Sequence, residues 1–202
     1  DKETPYIDRL RNAFRRRPGM LVDRLDLDRD DALELAGHEF DTILCINVLE
    51  HTTDDAAALR RAYQLLVPGG RIIIFVPAGK DLFGTLDRGI GHQRRYERDG
   101  LISMLQAAGF EVEDAVYQNR AAKLAWRLNS TLFKRNALPA AQSKIFDRLV
   151  PLLKALDGDR PRSGLSLIAI GRKPGGSELA AGAEITAEAS SPTPNSPLPT
   201  PS

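Results

Sequence analysis

"FDTILCINVLEH", residues 40–51, decides the fold. Its apolar run ends Ile43-Leu44-Cys45-Ile46 and stops at Asn47; Val48 and Leu49 follow, then Glu50 and His51 stand side by side. A continuous apolar run of this kind reads as a parallel strand covered on both faces. In an open sheet of parallel strands, ligands sit beyond the carboxyl ends. An amide, a carboxylate and an imidazole delivered to that point therefore mark a candidate binding edge.

Downstream, Thr52-Thr53-Asp54-Asp55 supplies a cap and first-turn acids for a helix. Leu59, Ala62, Tyr63 and Leu66 give its buried stripe, and Pro68-Gly69-Gly70 should end it. "RIIIFVP", 71–77, is the clearest strand in the chain. Residues 78–95 are glycine-rich and read as a loop with one short helix. Leu101, Met104, Leu105 and Ala108 mark another helix, closed by Gly109. Strands are predicted at 110–119 and 164–173, with helical segments at 120–136 and 142–157 between them. Upstream, Thr4-Pro5 opens a helix carrying Ile7, Leu10 and Phe14 on one face, and Pro18-Gly19 stops it. A short strand is predicted at 20–27. This alternation implies an α/β fold: a Rossmann-like, doubly wound, mostly parallel sheet with right-handed crossovers.

The chain has 202 residues, 42% hydrophobic and 27% charged, enough for one globular domain. Its 28 basic and 27 acidic side chains nearly cancel, so nothing steers it toward nucleic acid. The single cysteine, Cys45, lies inside the apolar run and reads as a packed thiol in a reducing, cytoplasmic setting. No apolar stretch approaches the ~18 residues of a membrane span. The domain is expected over 1–173, with 120–160 a helical insertion between the last two strands. From Pro174 onward Ala, Ser, Thr, Pro and Gly dominate, so 174–202 reads as a disordered tail. The first residue is Asp1 rather than Met, which suggests the remainder of a longer chain.

The order "FDTILCINVLEH", helix, "LLVPGGRIIIFVP", Gly-Phe-terminated helix and strand resembles the class I S-adenosylmethionine-dependent methyltransferases, of the type 11/12 kind. The resemblance covers about residues 1–119 and 164–173. It implies a seven-stranded template whose last strand is antiparallel. On that template 20–27 is strand three, and strands one and two, with the glycine-rich loop between strand one and its helix, are not found in these residues. S-adenosylmethionine is the implied cofactor. The resemblance places Asp1 at the ribose hydroxyls, with Glu3 competing for the role. It places Asp26 at the adenine amino group, with the Leu27 amide near a ring nitrogen; Asp23, Asp28, Asp30 and Asp31 are close enough to make this an ordinary acidic loop. Asn47 and Val48 match the segment that passes along the methionine part, and Glu50 points at the cofactor edge or the acceptor.

His51 and His92 are the two candidate general bases, because imidazole suits proton transfer near neutral pH. The bland reading of His51 is a loop hydrogen bond or helix cap. "GIGHQRRYERDGL", 89–101, resembles a stretch of bacterial-type relatives and offers Arg94, Arg95 and Tyr96 to a small-molecule or lipid- or sugar-linked acceptor. The competing reading is structural ion pairing with Asp81, Asp87 or Glu97. The basic, amphipathic 120–157 region covers the site, meets a second copy, or lies on an anionic membrane surface as a peripheral contact. No metal constellation is visible, since the three histidines are widely spaced in the sequence. Two other readings stay open: a nicotinamide-dependent oxidoreductase of the same architecture, and a non-catalytic interaction domain.

Overall fold

The computed structural model describes residues 4–23, 25–29, 35, 37–127 and 161–175. The expectations for Asp1, Glu3, Asp30 and Asp31, for most of the 120–160 insertion and for nearly all of the 174–202 tail lie outside these residues.

Helix α1, Thr4–Phe14, opens the described chain and buries Ile7. Strand β1 is Phe40–Ile46. A 3-10 turn at Leu49–His51 leads into α2, Asp55–Leu65, whose N-cap Asp54 accepts the Ala57 N–H at 2.8 Å. Strand β2 follows directly as Leu66–Pro77. A 3-10 turn at Lys80–Leu82 and the short α3, Thr85–Gly89, break up the glycine-rich segment. Helix α4 spans Arg98–Ala107, β3 Glu111–Gln118, α5 Arg120–Arg127 and β4 Ser166–Arg172.

The four strands form one sheet in the order β1-β2-β4-β3. β1 and β2 run parallel, from Thr42 against Arg71 to Ile46 against Phe75. β4 is inserted between β2 and β3 and runs antiparallel to both. The sheet is therefore mixed, with the late antiparallel strand that the resemblance implies. β2 begins five residues earlier than its apolar run suggests. Gly69 donates to the Lys173 carbonyl and Lys173 to the Gly70 carbonyl, so Pro68-Gly69-Gly70 is carried into the sheet rather than left as a turn.

Strand alternation sends Ile72, Ile74 and Val76 to one face of β2, where all three are at most 1% exposed. There they meet Leu59 of α2, Leu101 and Leu105 of α4, and Leu167 and Ala169 of β4. α2 meets the turn that follows α4 through Tyr63 and Phe110, whose rings pack edge to face at 5.1 Å. Gly109, at φ +100, closes α4 against the same tyrosine; a Cβ there would meet the ring at 3.1 Å. Lys173 Nζ donates to the carbonyls of Tyr63 and Leu66, satisfying the carboxyl end of α2.

Two expectations are corrected. The described part of 20–27 is not a strand, and β1 is not covered on both faces. Among the described residues β1 is an edge strand with β2 as its one neighbour, and the described part of 20–27 does not pair with its open side. On one face of β1, Leu44 and Ile46 remain 63% and 55% exposed.

Because Ile74 is fully buried in the middle of the sheet, Ile74→Ala should cost about 2–5 kcal/mol of stability. Urea unfolding followed by circular dichroism measures it; a change below about 1 kcal/mol would contradict this core.

Candidate functional site

The parallel pair β1 and β2 sets the rim. At the end of β1, Asn47 donates its N–H to the Phe75 carbonyl at 2.8 Å and takes a left-handed backbone, φ +51. Asparagine tolerates that conformation better than most residues, so the chain can turn out of the strand at this point. The 3-10 turn then brings Glu50 inward and leaves His51 at the rim. At the end of β2, Ala78 forms an isolated parallel bridge with Tyr96, which returns the 78–96 segment to the same edge. Gln93 N–H donates to the Glu50 carbonyl at 2.8 Å, and the Gln93 side chain donates to the His51 carbonyl. The two candidate bases thereby meet: the His51 and His92 rings pack edge to face at 4.8 Å.

Asp87 organises the inner part of the site. It accepts from Arg95 Nε at 2.8 Å, from His92 Nδ1 at 3.0 Å and from the Gly84 N–H at 3.0 Å. Burial opposes its ionisation, but these hydrogen bonds and the Arg95 charge outweigh burial and hold its carboxyl below the usual carboxylate range. Arg95 also donates to the Ala78 carbonyl and lies 4.6 Å from the Trp126 ring centroid on α5. Glu50 is different. It is fully buried, and neither carboxylate oxygen reaches a hydrogen-bond partner. Burial pushes its carboxyl above the ordinary range, against smaller opposing effects of its own backbone N–H and of His92, His51 and Arg95.

The residues offered to an acceptor all have protein partners. Arg95 is buried on Asp87, the pairing named as its structural alternative. Arg94 binds Asp55 at 2.8 Å and the Thr53 carbonyl at 3.0 Å. Tyr96 donates to Asp55 at 3.0 Å, and burial, with the Asp55 charge, pushes its phenol well above its usual value. Arg94 and Tyr96 together dock the loop onto the start of α2, while Arg95 ties it to Asp87 and to the Ala78 carbonyl. Arg94, at 30% side-chain exposure, is the most open of the three at the rim.

Asp26 and Leu27, which the resemblance assigns to the adenine, reach the same edge through a neighbour. Asp26 accepts the Asp28 N–H at 3.1 Å and lies 3.8 Å from Arg29, forming a tight turn. The Leu27 carbonyl accepts from Arg61 of α2 at 2.7 Å. Asp28, read from sequence only as a competing loop acid, accepts the Thr53 N–H at 2.7 Å and its hydroxyl at 3.3 Å. This ties the 26–29 turn beside the 47–53 segment. Val48 is 36% exposed there, and the Asn47 side chain is exposed as well. Asp87 itself was missed as a site organiser; its only sequence signal is its position five residues before His92 and eight before Arg95.

Removing Asp87 strands a buried guanidinium. Asp87→Ala should therefore cost about 3–5 kcal/mol, and Asp87→Ala with Arg95→Met distinctly less, by denaturant unfolding. Equal losses in the two would contradict the pairing. Cys45 should be inert as a nucleophile: burial, helped by the nearby Glu50 charge, raises its thiol to about 11. The folded chain should resist a thiol reagent at pH 8 and react only on unfolding; rapid modification of folded protein would refute this.

Comparison with known proteins agrees with this fold. A family profile described as "Methyltransferase domain" matches residues 1–72. A ubiquinone biosynthesis O-methyltransferase of Pseudomonas aeruginosa (strain LESB58) is 27% identical over 111 residues, 48% of this chain and 48% of that protein. The chain thus spans about half the length of the curated relatives it matches. Among solved structures, an S-adenosylmethionine-dependent methyltransferase from Mesorhizobium loti superposes with a TM-score of 0.52 at 18% identity, covering 86% of this chain and 78% of that one. The N-methyltransferase NodS from Bradyrhizobium japonicum, in complex with S-adenosyl-L-homocysteine, gives 0.50 at 15% identity, covering 86% and 64%. These two share the fold. Over residues 1–72 and over the stretch shared with the curated relatives the chain is similar in sequence to methyltransferases, and its late antiparallel strand between β2 and β3 accords with the fold of these two structures.

Proposed function

We propose that the protein carrying this chain transfers a methyl group from S-adenosylmethionine to a small-molecule or lipid- or sugar-linked acceptor, and that this chain supplies the acceptor side and part of the cofactor side. The observation that carries the reading is the convergence of the 26–29 turn, the 47–53 segment and the 78–96 loop at the carboxyl edge of β1 and β2.

The residues present suit the cofactor. Asp26 keeps acceptor capacity beyond its two local contacts, since a carboxylate has about four lone-pair sites. That matches an adenine amino donor. Asn47 and Val48 lie exposed where the methionine part would pass. Asp1 completes the nucleoside contacts in this proposal. The sulfonium, when bound, supplies an activated methyl group and a neutral leaving thioether. The chain's own work is then to hold the acceptor in line and keep it dry. Orientation of that kind contributes ~7–11 kcal/mol to such displacements.

The two imidazoles divide in this scheme. His92 is held by Asp87 and sits inside; His51 is half-buried at the rim and anchored through the Gly91 carbonyl. His51 is thus the better placed to meet an entering hydroxyl. Arg94 can exchange its bond to the Thr53 carbonyl for an acceptor group without emptying a buried pair. Arg95 and Tyr96 act by fixing the loop. A cytoplasmic setting and a peripheral membrane contact through 120–157 belong to the same proposal. No helix among the described residues is long and apolar enough to cross a membrane.

Isothermal titration calorimetry on the protein carrying this chain tests the reading. Heat with S-adenosylhomocysteine and none with NADH is expected. The reverse result would favour the oxidoreductase, and silence with both the interaction domain. Asp26→Ala should weaken the S-adenosylhomocysteine signal about 10-fold, the effect of losing ~1.5 kcal/mol of charge-assisted hydrogen bonding. Unchanged affinity would remove Asp26 from the site.

A further inference from the structure

Glu50, His51 and His92 come from two segments 41 residues apart, yet one ligand atom of each lies within 4.8 Å of the other two. The chemistry of the cluster is one-sided. The partners of both Nδ1 atoms are oxygens that accept: the Asp87 carboxylate for His92 and the Gly91 carbonyl for His51. Each Nδ1 therefore carries the hydrogen, and each neutral ring keeps a bare lone pair at Nε2. The third member, Glu50, is fully buried with both oxygens unpartnered. One nitrogen of each ring and a Glu50 oxygen thus share one small region, and no described group hydrogen-bonds the Glu50 oxygens there. His92 Nε2 is 3.7 Å from Glu50 Oε1, too far for a hydrogen bond, so a shared proton does not resolve the deficit.

We propose that Glu50, His51 and His92 form a binding site for a divalent first-row transition cation of the zinc or manganese kind. Two imidazoles and one carboxylate are a ligand set for such ions, and one carboxylate is too few for calcium. Bonds of ~2.0–2.2 Å need ligand atoms roughly 3.3 Å apart, so the three side chains draw together by about 1.5 Å on binding. His51, half-buried at the rim, gives the cation a way in. The outer contacts are those metal-binding histidines use: a carboxylate behind His92 and a backbone carbonyl behind His51. Arg95 does not repel the cation strongly, because its charge is matched by Asp87. Three protein ligands leave at least one position open. On the methyl-transfer reading that position serves an acceptor oxygen, and His51 with the cation bound is a ligand rather than the base, but the site itself does not depend on that reading.

The test is cation binding without cofactor or acceptor. The chelator-stripped chain is dialysed against Zn²⁺ and Mn²⁺ and assayed for bound metal, and Co²⁺ is followed by its visible absorption. One equivalent per chain is expected. Substituting an outer contact of a metal site already costs ~10–100-fold in affinity, so Glu50→Gln and His92→Ala should each lose at least that, while His38→Ala changes nothing. His51→Ala, which removes one hydrogen bond to the Gly91 carbonyl and the edge-to-face contact with His92, decides the matter should either buried variant fail to fold. No uptake by the wild-type chain at millimolar cation would overturn the site. So would unchanged uptake in folded Glu50→Gln, His92→Ala or His51→Ala, or an equal loss in His38→Ala. A calorimetric failure with S-adenosylhomocysteine would leave these results untouched.

Discussion

One buried carboxylate holds the rim in place. Asp87 gathers the Arg95 guanidinium, the His92 imidazole and the Gly84 N–H, and through them it fixes the inner side of the glycine-rich segment. Arg95 in turn clamps the Ala78 carbonyl at the end of β2 and stacks against Trp126 of α5. A charge cluster of this burial is a weak source of net stability, because desolvation consumes much of the Coulomb attraction. Its value lies in geometry. It makes the loop's position depend on the sheet's, so that His92 arrives beside Glu50 and His51 rather than anywhere along a flexible arc.

The sheet supplies the other half of that constraint. Parallel pairing of β1 with β2 ends both strands on the same side, and the Asn47 turn and the Ala78–Tyr96 bridge open onto it. Asp55, at the start of α2, receives both Arg94 and Tyr96, and Asp28 receives Thr53. Helix start, loop and 26–29 turn are thus cross-linked by polar contacts while the apolar layer of Leu59, Ile74, Leu101 and Leu167 packs beneath them. The edge of β1 contrasts with this, with Leu44 and Ile46 exposed among the described residues.

Much of this was legible in the sequence because it is written in local pattern. The apolar runs gave β1 and β2, the i, i+3, i+4, i+7 stripe gave α2, and the Gly109 stop gave the end of α4. The late antiparallel strand came from the resemblance rather than from periodicity. What failed to show was relational. Residues 20–27 have strand-like composition, yet their described part joins no ladder among the described residues. Pro68-Gly69-Gly70 looks like punctuation, yet two backbone hydrogen bonds to Lys173, about a hundred residues away, make it sheet. The polar loop residues carried the right address and an ambiguous role, since a sequence cannot say whether Arg95 faces a ligand or Asp87. The histidines looked scattered because 41 residues separate His51 from His92; only the folded loop brings them to 4.8 Å.

The central claim is that one adenosyl group is held where these segments meet. A crystal structure of the protein carrying this chain, grown with S-adenosylhomocysteine, tests it most directly. The account predicts the adenine ring against the 26–29 turn and the homocysteine part along Asn47 and Val48, with the sulfur facing the His51–His92 side of the rim. Density for the ligand on another edge of the sheet, or remote from both Asp26 and Asn47, would contradict it.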